Sequence, residues 1–539
     1  MPVVSEEAIR IAVRNIGKWG DTDVFPFPID NHIFHDSEDE VVALVVQRTE
    51  DFTNTIAQDA PLNTSALCPV GYNGFRWATQ IDPLWNAHLL ALVVDLAPQI
   101  EAARIPEDDE VVFSYRYRTG TDDSSLFDRE GWSKFGERSR QLATEHEYVV
   151  VLDIADFYGR IYHHRLENEL HYVEPDSAHA KSKQIMRLLG TFSDRVSYGL
   201  PVGGPAARIL SELLLSPTDH LLAGQQPRFR FTRYADDYRF FSDSLEDAYR
   251  AVGFLSDKLQ RNEGLSLQRS KTRIMSSHEY LSAHQPQEPR QGSAAKFLSL
   301  RLHYDAYSAT AADDYEELKE QLDEFDVLGL LRAELSKGRV DSALTKRLTG
   351  VIEHLPEPVR EQAILSMMDN LETLAPILPQ MLRVIRKNLE GLSEGSRDKV
   401  CQMLRDLIET GHHLARVDVN LAYMVRVLAH HRTRDNEHLL QNLFARSHGY
   451  AAGPAPNIQR DIILALARWE SRYWLHDLRP YYSTLHPWAR RAFAISTFVL
   501  GDEGRHWRQN NKATLGPYDK LHLAWAEERI KQSQWQVPL

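Results

Sequence analysis

The sequence predicts an α+β domain followed by an all-α C-terminal region, and three observations support this fold class. Short runs of strand-forming residues, set between helical stretches, begin at Val111. After about residue 311 the strand pattern stops, and amphipathic helical segments follow one another. Breaks containing Gly or Pro separate these segments about every 20 residues. The predicted domains are residues 1–110, 111–310 and 311–539.

Composition and charge exclude several classes of protein. A chain of 539 residues with 43% apolar and 26% charged residues is typical of a globular protein with more than one core. No apolar run approaches the roughly 20 residues that span a bilayer, and the N-terminus lacks a signal-peptide pattern, so we expect a cytoplasmic protein without membrane contact. The two cysteines exclude a disulfide framework. The net charge of -14 confines any nucleic-acid contact to a local basic channel.

Four strands and one long N-terminal helix are predicted in the first part of the chain. The helix covers Pro83 to Leu96. The predicted strands are Val111 to Arg118, Tyr148 to Ile154, Arg228 to Tyr234 and Asp237 to Phe241.

The C-terminal region is predicted to contain helices at a spacing that suggests a HEAT-like α-solenoid. No repeat consensus is visible, so an irregular helical bundle remains an open alternative. Examples of the predicted helices are Tyr315 to Leu335, Val340 to Ile352, Pro358 to Leu371, Ala375 to Leu389 and Arg397 to Glu409.

Three carboxylates are the strongest candidates for chemistry. Asp236 and Asp237 lie at the turn from one predicted strand to the next, where an acidic hairpin tip is the simpler explanation. Asp153, however, ends an apolar run typical of a buried strand, and a carboxylate there is costly to desolvate unless it is paired or binds metal. If the strands are neighbours, the three carboxylates face one point. Two divalent ions held in this way catalyse phosphoryl transfer, and carboxylates suit Mg²⁺, with Mn²⁺ as an alternative.

The order of motifs from about Val111 to Tyr304 resembles that of the reverse transcriptases. The matching segments are Leu152–Tyr158 for motif A, Gly199–Pro205 for motif B, Tyr234–Asp237 for motif C, Leu265–Thr272 for motif D and Phe297–Leu302 for motif E. The resemblance implies a fingers and palm domain over residues 111–310, with part of the fingers in the N-terminal extension. It also implies an RNA-directed DNA polymerase that uses dNTPs and makes a DNA product.

The same resemblance assigns roles to single residues. Asp153, Asp236 and Asp237 would hold the metals, with the Ile154 carbonyl as a further ligand. Lys271 would protonate the pyrophosphate, although a surface lysine is an equal alternative. Tyr158 falls at the steric gate that excludes the ribose 2′-hydroxyl, with a core aromatic as the alternative. The other residues of the implied nucleotide site are Asp156, Phe157, Gly203, Arg116 and Arg118.

Motif B departs from the common pattern, because Val202 stands where many reverse transcriptases have Gln. This variant resembles the AbiK-like abortive-infection and other defence-associated enzymes of bacteria, which carry a helical C-terminal domain. That likeness implies antiphage defence, a homo-oligomer, and DNA synthesis that needs neither template nor ordinary primer and starts on a tyrosine. A non-coding RNA template remains open. Tyr72, between Gly71 and Gly74, is a candidate for priming, with an ordinary turn aromatic as the alternative.

Two other functions remain open at this point. One is a conventional reverse transcriptase that copies an RNA for a retroelement, although the acidic C-terminal region does not look like a basic thumb. The other is a catalytically silent nucleic-acid-binding scaffold, which the presence of all three carboxylates and the gate aromatic disfavours.

Overall fold

A computed structural model describes residues 3–72, 74–118, 125–128, 130–176, 178–284, 325–450, 453–532 and 536–539. The chain divides into two compact units. The first comprises Met1–Asp23, Asp30–Asn63 and Thr79–Pro286, and the second comprises Val24–Ile29, Thr64–Ala78 and Gln287–Leu539. The domain boundaries at residues 110 and 310 stay predictions.

A four-stranded antiparallel sheet forms the centre of the first unit. A separate hairpin precedes it in the chain, formed by β1 (Asn63–Val70) and β2 (Gly74–Ile81). The central sheet contains β3 (Tyr148–Asp153), β4 (Arg230–Tyr234), β5 (Asp237–Ser242) and β6 (Arg273–Ser276), in the order β4-β5-β3-β6. Three of the four predicted strands are therefore confirmed, within one or two residues of their predicted ends.

Helices surround this sheet, and the longest of them, over Pro83–Ala103, is buried along most of its length, from Leu84 to Ile100. The helix predicted from Pro83 is confirmed and continues beyond Leu96. The helices of the first unit are α1 (Glu6–Trp19), α2 (Asp30–Asp36), α3 (Glu38–Glu50), α4 (Phe52–Gln58), α5 (Pro83–Ala103), α6 (Gly131–Glu145), α7 (Phe157–Arg160), α8 (His163–Val173), α9 (Ala180–Phe192), α10 (Pro205–Ala223), α11 (Leu245–Lys258) and α12 (Ser277–His284).

The strand predicted over residues 111–118 is wrong. The segment is irregular and makes single β-bridges, from Val112 to Arg233 and from Tyr117 to Phe127. Tyr115 has a φ of 45°, which a continuous strand does not allow. The apolar and aromatic residues that suggested a strand instead pack individually into the core.

The second unit is helical throughout the part of residues 325–539 that the structure describes. Many of these helices pack on the next helix but one along the chain. Stacked helix pairs produce this arrangement. The HEAT-like repeat itself stays a prediction. The helices are α13 (Val327–Leu335), α14 (Ser342–Val351), α15 (Glu357–Met368), α16 (Leu378–Asn388), α17 (Glu394–Glu409), α18 (Asp418–Leu428), α19 (Arg434–Leu443), α20 (Pro456–Arg468), α21 (Arg472–Leu478), α22 (Pro487–Ser496), α23 (Gly501–Asn511) and α24 (Pro517–Ile530). Across the described ranges, we find no helix with the length and apolar character that crossing a bilayer requires.

A buried ionic network joins β4 to α10 in the first unit. The Arg233 guanidinium, fully buried on β4, lies 2.6 Å from an Asp219 carboxylate oxygen and 2.9 Å from one of Glu212. Arg104 lies 2.6 Å from the same Glu212 oxygen. Two guanidinium groups therefore balance two carboxylates, so that the charges are neutralised where water does not reach them.

We expect Arg233→Met to lower the free energy of unfolding by about 3–5 kcal/mol, because removing one partner of a buried pair leaves an uncompensated charge. The matched control is Arg250→Met on α11, whose guanidinium lies 3.0 Å from Glu246 with both side chains exposed. That change should cost less than about 1 kcal/mol. Urea denaturation followed by circular dichroism measures both, and equal losses would contradict the structural role of Arg233.

Candidate active site

The three predicted carboxylates converge at one end of the central sheet. Strands β3 and β5 pair antiparallel, with Asp153 directly opposite Asp237, so the last residue of one strand meets the first of the other. Asp236 lies in the tight β4–β5 turn after Ala235, which has a φ of 52°. One carboxylate oxygen from each of the three residues lies within 4.8 Å of the others. The predicted convergence is confirmed.

Backbone hydrogen bonds hold the three carboxylates in register. The amide of Ile154 donates to the carbonyl of Asp236 (3.2 Å), which links the end of β3 to the turn. The amide of Gln268 donates to the Asp153 carbonyl (2.7 Å), which ties the same strand end to the segment before β6. The proposed role of the Ile154 carbonyl as a metal ligand stays a prediction.

Burial and mutual repulsion make this group of carboxylates electrostatically unfavourable without a cation. Burial raises the pKa of Asp236 to about 6, and the charges of Asp153 and Asp237 add to the shift. Burial also raises the pKa of Asp237, against the effect of Arg239, whose guanidinium lies 3.4 Å away. Three hard oxygen donors that repel each other fit a divalent ion such as Mg²⁺ or Mn²⁺.

Lys271 contacts the carboxylate group directly. Its Nζ lies 2.8 Å from the Asp153 Oδ2, while its side chain remains 63% exposed. The hydrogen bond to Asp153 is the main reason that the pKa of Lys271 is raised, so the ammonium stays protonated at neutral pH. A protonated amine beside the carboxylates can act as a proton donor. Its role toward the pyrophosphate stays a prediction.

A second group of side chains capable of binding metal is Glu372, His412 and His413 in the second unit. Each histidine Nε2 lies 3.1 Å from an oxygen of Glu372. The Leu414 amide donates to the Nδ1 of His412 (3.4 Å), which places the proton of the neutral ring on Nε2. That nitrogen then hydrogen bonds to the carboxylate and offers no lone pair to a metal.

The gate candidate Tyr158 lies in α7, directly after Asp156 and Phe157. Its phenol neighbours the hydroxyl groups of Tyr115 and Ser211, and burial is the main cause of its raised pKa. The Tyr115 ring lies 5.7 Å from that of Tyr234, the tyrosine of the segment that carries Asp236. Tyr158 therefore belongs to an aromatic cluster beside the carboxylates, and its gate role stays a prediction.

Three residues of the expected nucleotide site differ from the sequence-based expectation. Phe157 is 3% exposed and packs in the core, so it does not offer its ring to a ligand. Arg116 is also buried, with its guanidinium 2.6 Å from Glu101 and donating to the carbonyls of Val112 and Ile105. Its expected contact with the triphosphate is wrong, because it has the partners of a structural arginine.

Gly203 is the third of these residues. It has a φ of 125°, and a Cβ atom there would collide with Thr22 Oγ1. The close approach that requires glycine is therefore made by the protein's own N-terminal segment and not by a nucleotide.

The remaining expected residues are Asp156, Arg118 and Tyr72. Asp156 is exposed and has a left-handed backbone, and Arg118 is 41% exposed and lies 2.7 Å from Glu107; both stay predictions. The Tyr72 hydroxyl, within the second unit, donates to the Thr373 carbonyl (2.8 Å) and accepts from the Val340 amide (2.7 Å). These bonds anchor the Tyr72 side chain. The expectation that Tyr72 is mobile and exposed is therefore wrong. Motif E, over Phe297–Leu302, lies outside the described residues.

Sequence reasoning missed Arg208 and Asp23. Arg208 lies in the first turn of α10, with its guanidinium 2.6 Å from the Asp23 carboxylate and 5.4 Å from the centre of the Tyr115 ring. A basic residue soon after the glycines of motif B was the available signal for Arg208. No local signal marks Asp23, because its partner is 185 residues away.

A sheet that presents three carboxylates, with a lysine beside them, fits the class of metal-dependent nucleotidyl-transfer sites. Residues 93–329 match the family described as reverse transcriptase (RNA-dependent DNA polymerase). The chain thus contains a reverse transcriptase domain that includes all three carboxylates, which supports RNA-directed DNA polymerase activity. None of the curated proteins compared with the chain matches it.

Solved telomerase structures are similar to the chain at low identity. Telomerase from Candida albicans with a TWJ fragment of telomeric RNA gives a TM-score of 0.31 and 11% identity, over 68% of this chain and 67% of that chain. Apo telomerase from Candida tropicalis gives 0.32 and 10%, over 71% of this chain and 73% of that one. The Candida tropicalis enzyme with a TWJ fragment gives 0.28 and 11%, over 72% and 68%. The resemblance to bacterial abortive-infection enzymes stays a prediction.

We expect Mg²⁺ to stabilise the protein against heat through the three carboxylates. At ten times its Kd, a ligand that binds only the folded state adds about 1.4 kcal/mol. Asp236→Asn should remove most of this gain and, without metal, should raise the melting temperature, because it relieves repulsion among buried carboxylates.

Thermal denaturation in EDTA and in Mg²⁺ measures both effects. The matched control is Asp243→Asn, just beyond the other end of β5, where the side chain is 74% exposed. A Mg²⁺ gain in Asp236→Asn equal to that of the unaltered protein would argue against metal binding at this group.

Proposed function

We propose that this chain extends DNA from dNTPs by two-metal catalysis and acts in bacterial antiphage defence. The observation that carries the catalytic part is the convergence of Asp153, Asp236 and Asp237 on paired strands within a reverse transcriptase domain. Asp153, Asp236 and Asp237 would hold two divalent ions, which would supply activation of a 3′-oxygen nucleophile and charge neutralisation at the leaving pyrophosphate. The chain's own residues hold the carboxylates in place, and Lys271 supplies a proton at the edge of the site.

The antiphage role is supported by the motif B variant, in which Val202 replaces glutamine. The Val202 carbonyl accepts a hydrogen bond from the Thr79 amide (3.1 Å), so this loop is held by the protein's own backbone. Loss of the glutamine side chain removes a contact that helps position a templated nucleotide. We therefore propose that synthesis can begin without an ordinary primer and without a template, on a tyrosine other than Tyr72.

An RNA-templated reverse transcriptase is the second candidate, and the family match favours it. For the first candidate, the antiphage polymerase, we also propose a cytoplasmic homo-oligomer that assembles through a HEAT-like C-terminal region. Purified protein with labelled dNTPs and Mg²⁺, given no nucleic acid, a primed DNA or a primed RNA, separates the two. DNA that migrates with the protein in the first mixture supports protein priming, and product confined to the primed RNA mixture supports a conventional enzyme.

We expect Asp153→Ala, Asp236→Ala and Asp237→Ala each to reduce dNTP incorporation at least about a thousandfold, since each removes charge from the metal-binding group. The fold should persist, as circular dichroism would show. Asp243→Ala serves as the control, because it removes an exposed carboxylate next to β5 and should leave incorporation unchanged. Full activity in all three variants would refute the polymerase assignment.

We expect Tyr158→Ala to weaken the preference for dNTPs over rNTPs by about 10- to 200-fold, because the smaller side chain leaves room for the 2′-hydroxyl. Tyr158→Phe keeps the ring and should keep the preference. The control is Tyr162→Ala, which removes a ring that contacts Tyr198 at 5.1 Å. Competition between labelled dNTP and rNTP measures the ratio, and an unchanged ratio in Tyr158→Ala would exclude a steric gate.

A further inference from the structure

The N-terminal segment from Asp21 to Asp23 is anchored against the motif B loop of the first unit. Asp21 is 2% exposed; its carboxylate accepts from the Gln80 amide (3.0 Å) and its carbonyl from the Asn86 side chain (3.0 Å). The Asp23 amide donates to the Gly203 carbonyl (3.3 Å). Together with the contact between Thr22 and Gly203, these bonds place the segment in front of the loop that was expected to face a nucleotide.

This anchoring brings the Asp23 carboxylate to Arg208. The pair is 2.6 Å apart, and its side chains are 57% and 29% exposed. Arg208 also lies near the phenol groups of Tyr115, Tyr158 and Tyr234, with its guanidinium 5.4 Å from the centre of the Tyr115 ring. These are the aromatic residues beside the catalytic turn. The guanidinium therefore lies beside the aromatic cluster that contains the gate tyrosine.

Other cations in this region have different partners. Lys271 is paired with Asp153, and Arg239 with Asp237, so both are bound to catalytic carboxylates. Arg116 is buried in a structural network. Arg208 is instead paired with a carboxylate outside the catalytic group, which leaves it able to exchange that partner.

The energetics favour such an exchange. The Asp23 side chain is 57% exposed, so water screens the pair, and a screened ion pair contributes at most about 1 kcal/mol. Asp23 therefore holds Arg208 only weakly. A guanidinium binds phosphate through two parallel hydrogen bonds, and the polyphosphate of a nucleotide carries several negative charges where Asp23 carries one. A phosphate group can therefore displace the carboxylate without loss of the surrounding contacts.

We propose that Arg208 binds the triphosphate of the incoming nucleotide and that Asp23 occupies its guanidinium as a substitute anion until the nucleotide arrives. This inference rests on the proposed polymerase function and adds two elements to it. The triphosphate subsite lies on α10, and not on the segment of Arg116. The N-terminal segment competes with the substrate.

The test compares Arg208→Gln, Asp23→Asn and the double variant, with Arg250→Gln on α11 as the matched control. Binding of labelled dNTP is measured with Ca²⁺ in place of Mg²⁺, and the KM for dNTP is measured with Mg²⁺. Arg208→Gln should weaken binding and raise the KM by about 10- to 100-fold, the value of a charge-assisted hydrogen bond. Asp23→Asn should tighten binding by about two- to fivefold, because it removes the competing charge.

The double variant distinguishes competition from an unrelated effect of Asp23. With Arg208 replaced, Asp23→Asn should no longer change the affinity. If the wild-type chain incorporates dNTP while Arg208→Gln leaves both its affinity and its KM unchanged, the inference fails and the proposed function stands. If Asp23→Asn tightens binding equally in both backgrounds, its competition for Arg208 is refuted. A wild-type chain that neither binds nor incorporates dNTP overturns the proposed function, and the inference with it.

Discussion

The buried pairing of Arg233 with Glu212 and Asp219 is the interaction on which the active-site geometry depends. Besides its two carboxylate partners, Arg233 donates to the Ala235 carbonyl (3.0 Å), in the turn that presents Asp236. Glu212 also accepts from the Ser114 hydroxyl (2.6 Å), which brings the irregular segment before α6 into the same network. The helix after motif B, the turn that presents Asp236 and the segment of Tyr115 are thus fixed relative to one another by buried hydrogen bonds between charged groups, which require a specific geometry.

Features that follow from local sequence patterns could be predicted, whereas contacts between distant segments, such as those of this network, could not. Strands β3 and β5 follow from local apolar runs, and the carboxylate at the end of each identified the site, because charge at the end of a buried strand needs a partner. Arg116 could not be placed in this way. Its partner Glu101 lies on α5, and no local pattern separates a buried arginine from one that faces a cleft. The same limit hid the pairing of Asp23 with Arg208.

Glycine usage shows a second limit. Gly203 was expected to make room for a nucleotide, since glycine allows the backbone to approach a ligand closely. In the structure, Thr22 lies where a side chain at position 203 would be. The glycine therefore indicates a close contact, but it does not indicate which residue makes that contact. A motif can specify that something packs closely against the loop, whereas only the tertiary fold specifies that a segment about 180 residues earlier in the chain does so.

Local charge compensation would reconcile the acidic chain with the polyanionic substrate that we propose. The net charge of -14 repels nucleic acid in general, and the three clustered carboxylates add to that repulsion. Lys271 and Arg239 offset two of those charges, while burial and the neighbouring carboxylates raise the pKa of Asp236 to about 6, and a divalent cation would relieve the repulsion that remains. In the proposed complex, a bound cation and the Arg208 guanidinium would both supply positive charge to the phosphate chain. Attraction for a phosphate chain can therefore be confined to the site, and it does not require a basic surface elsewhere.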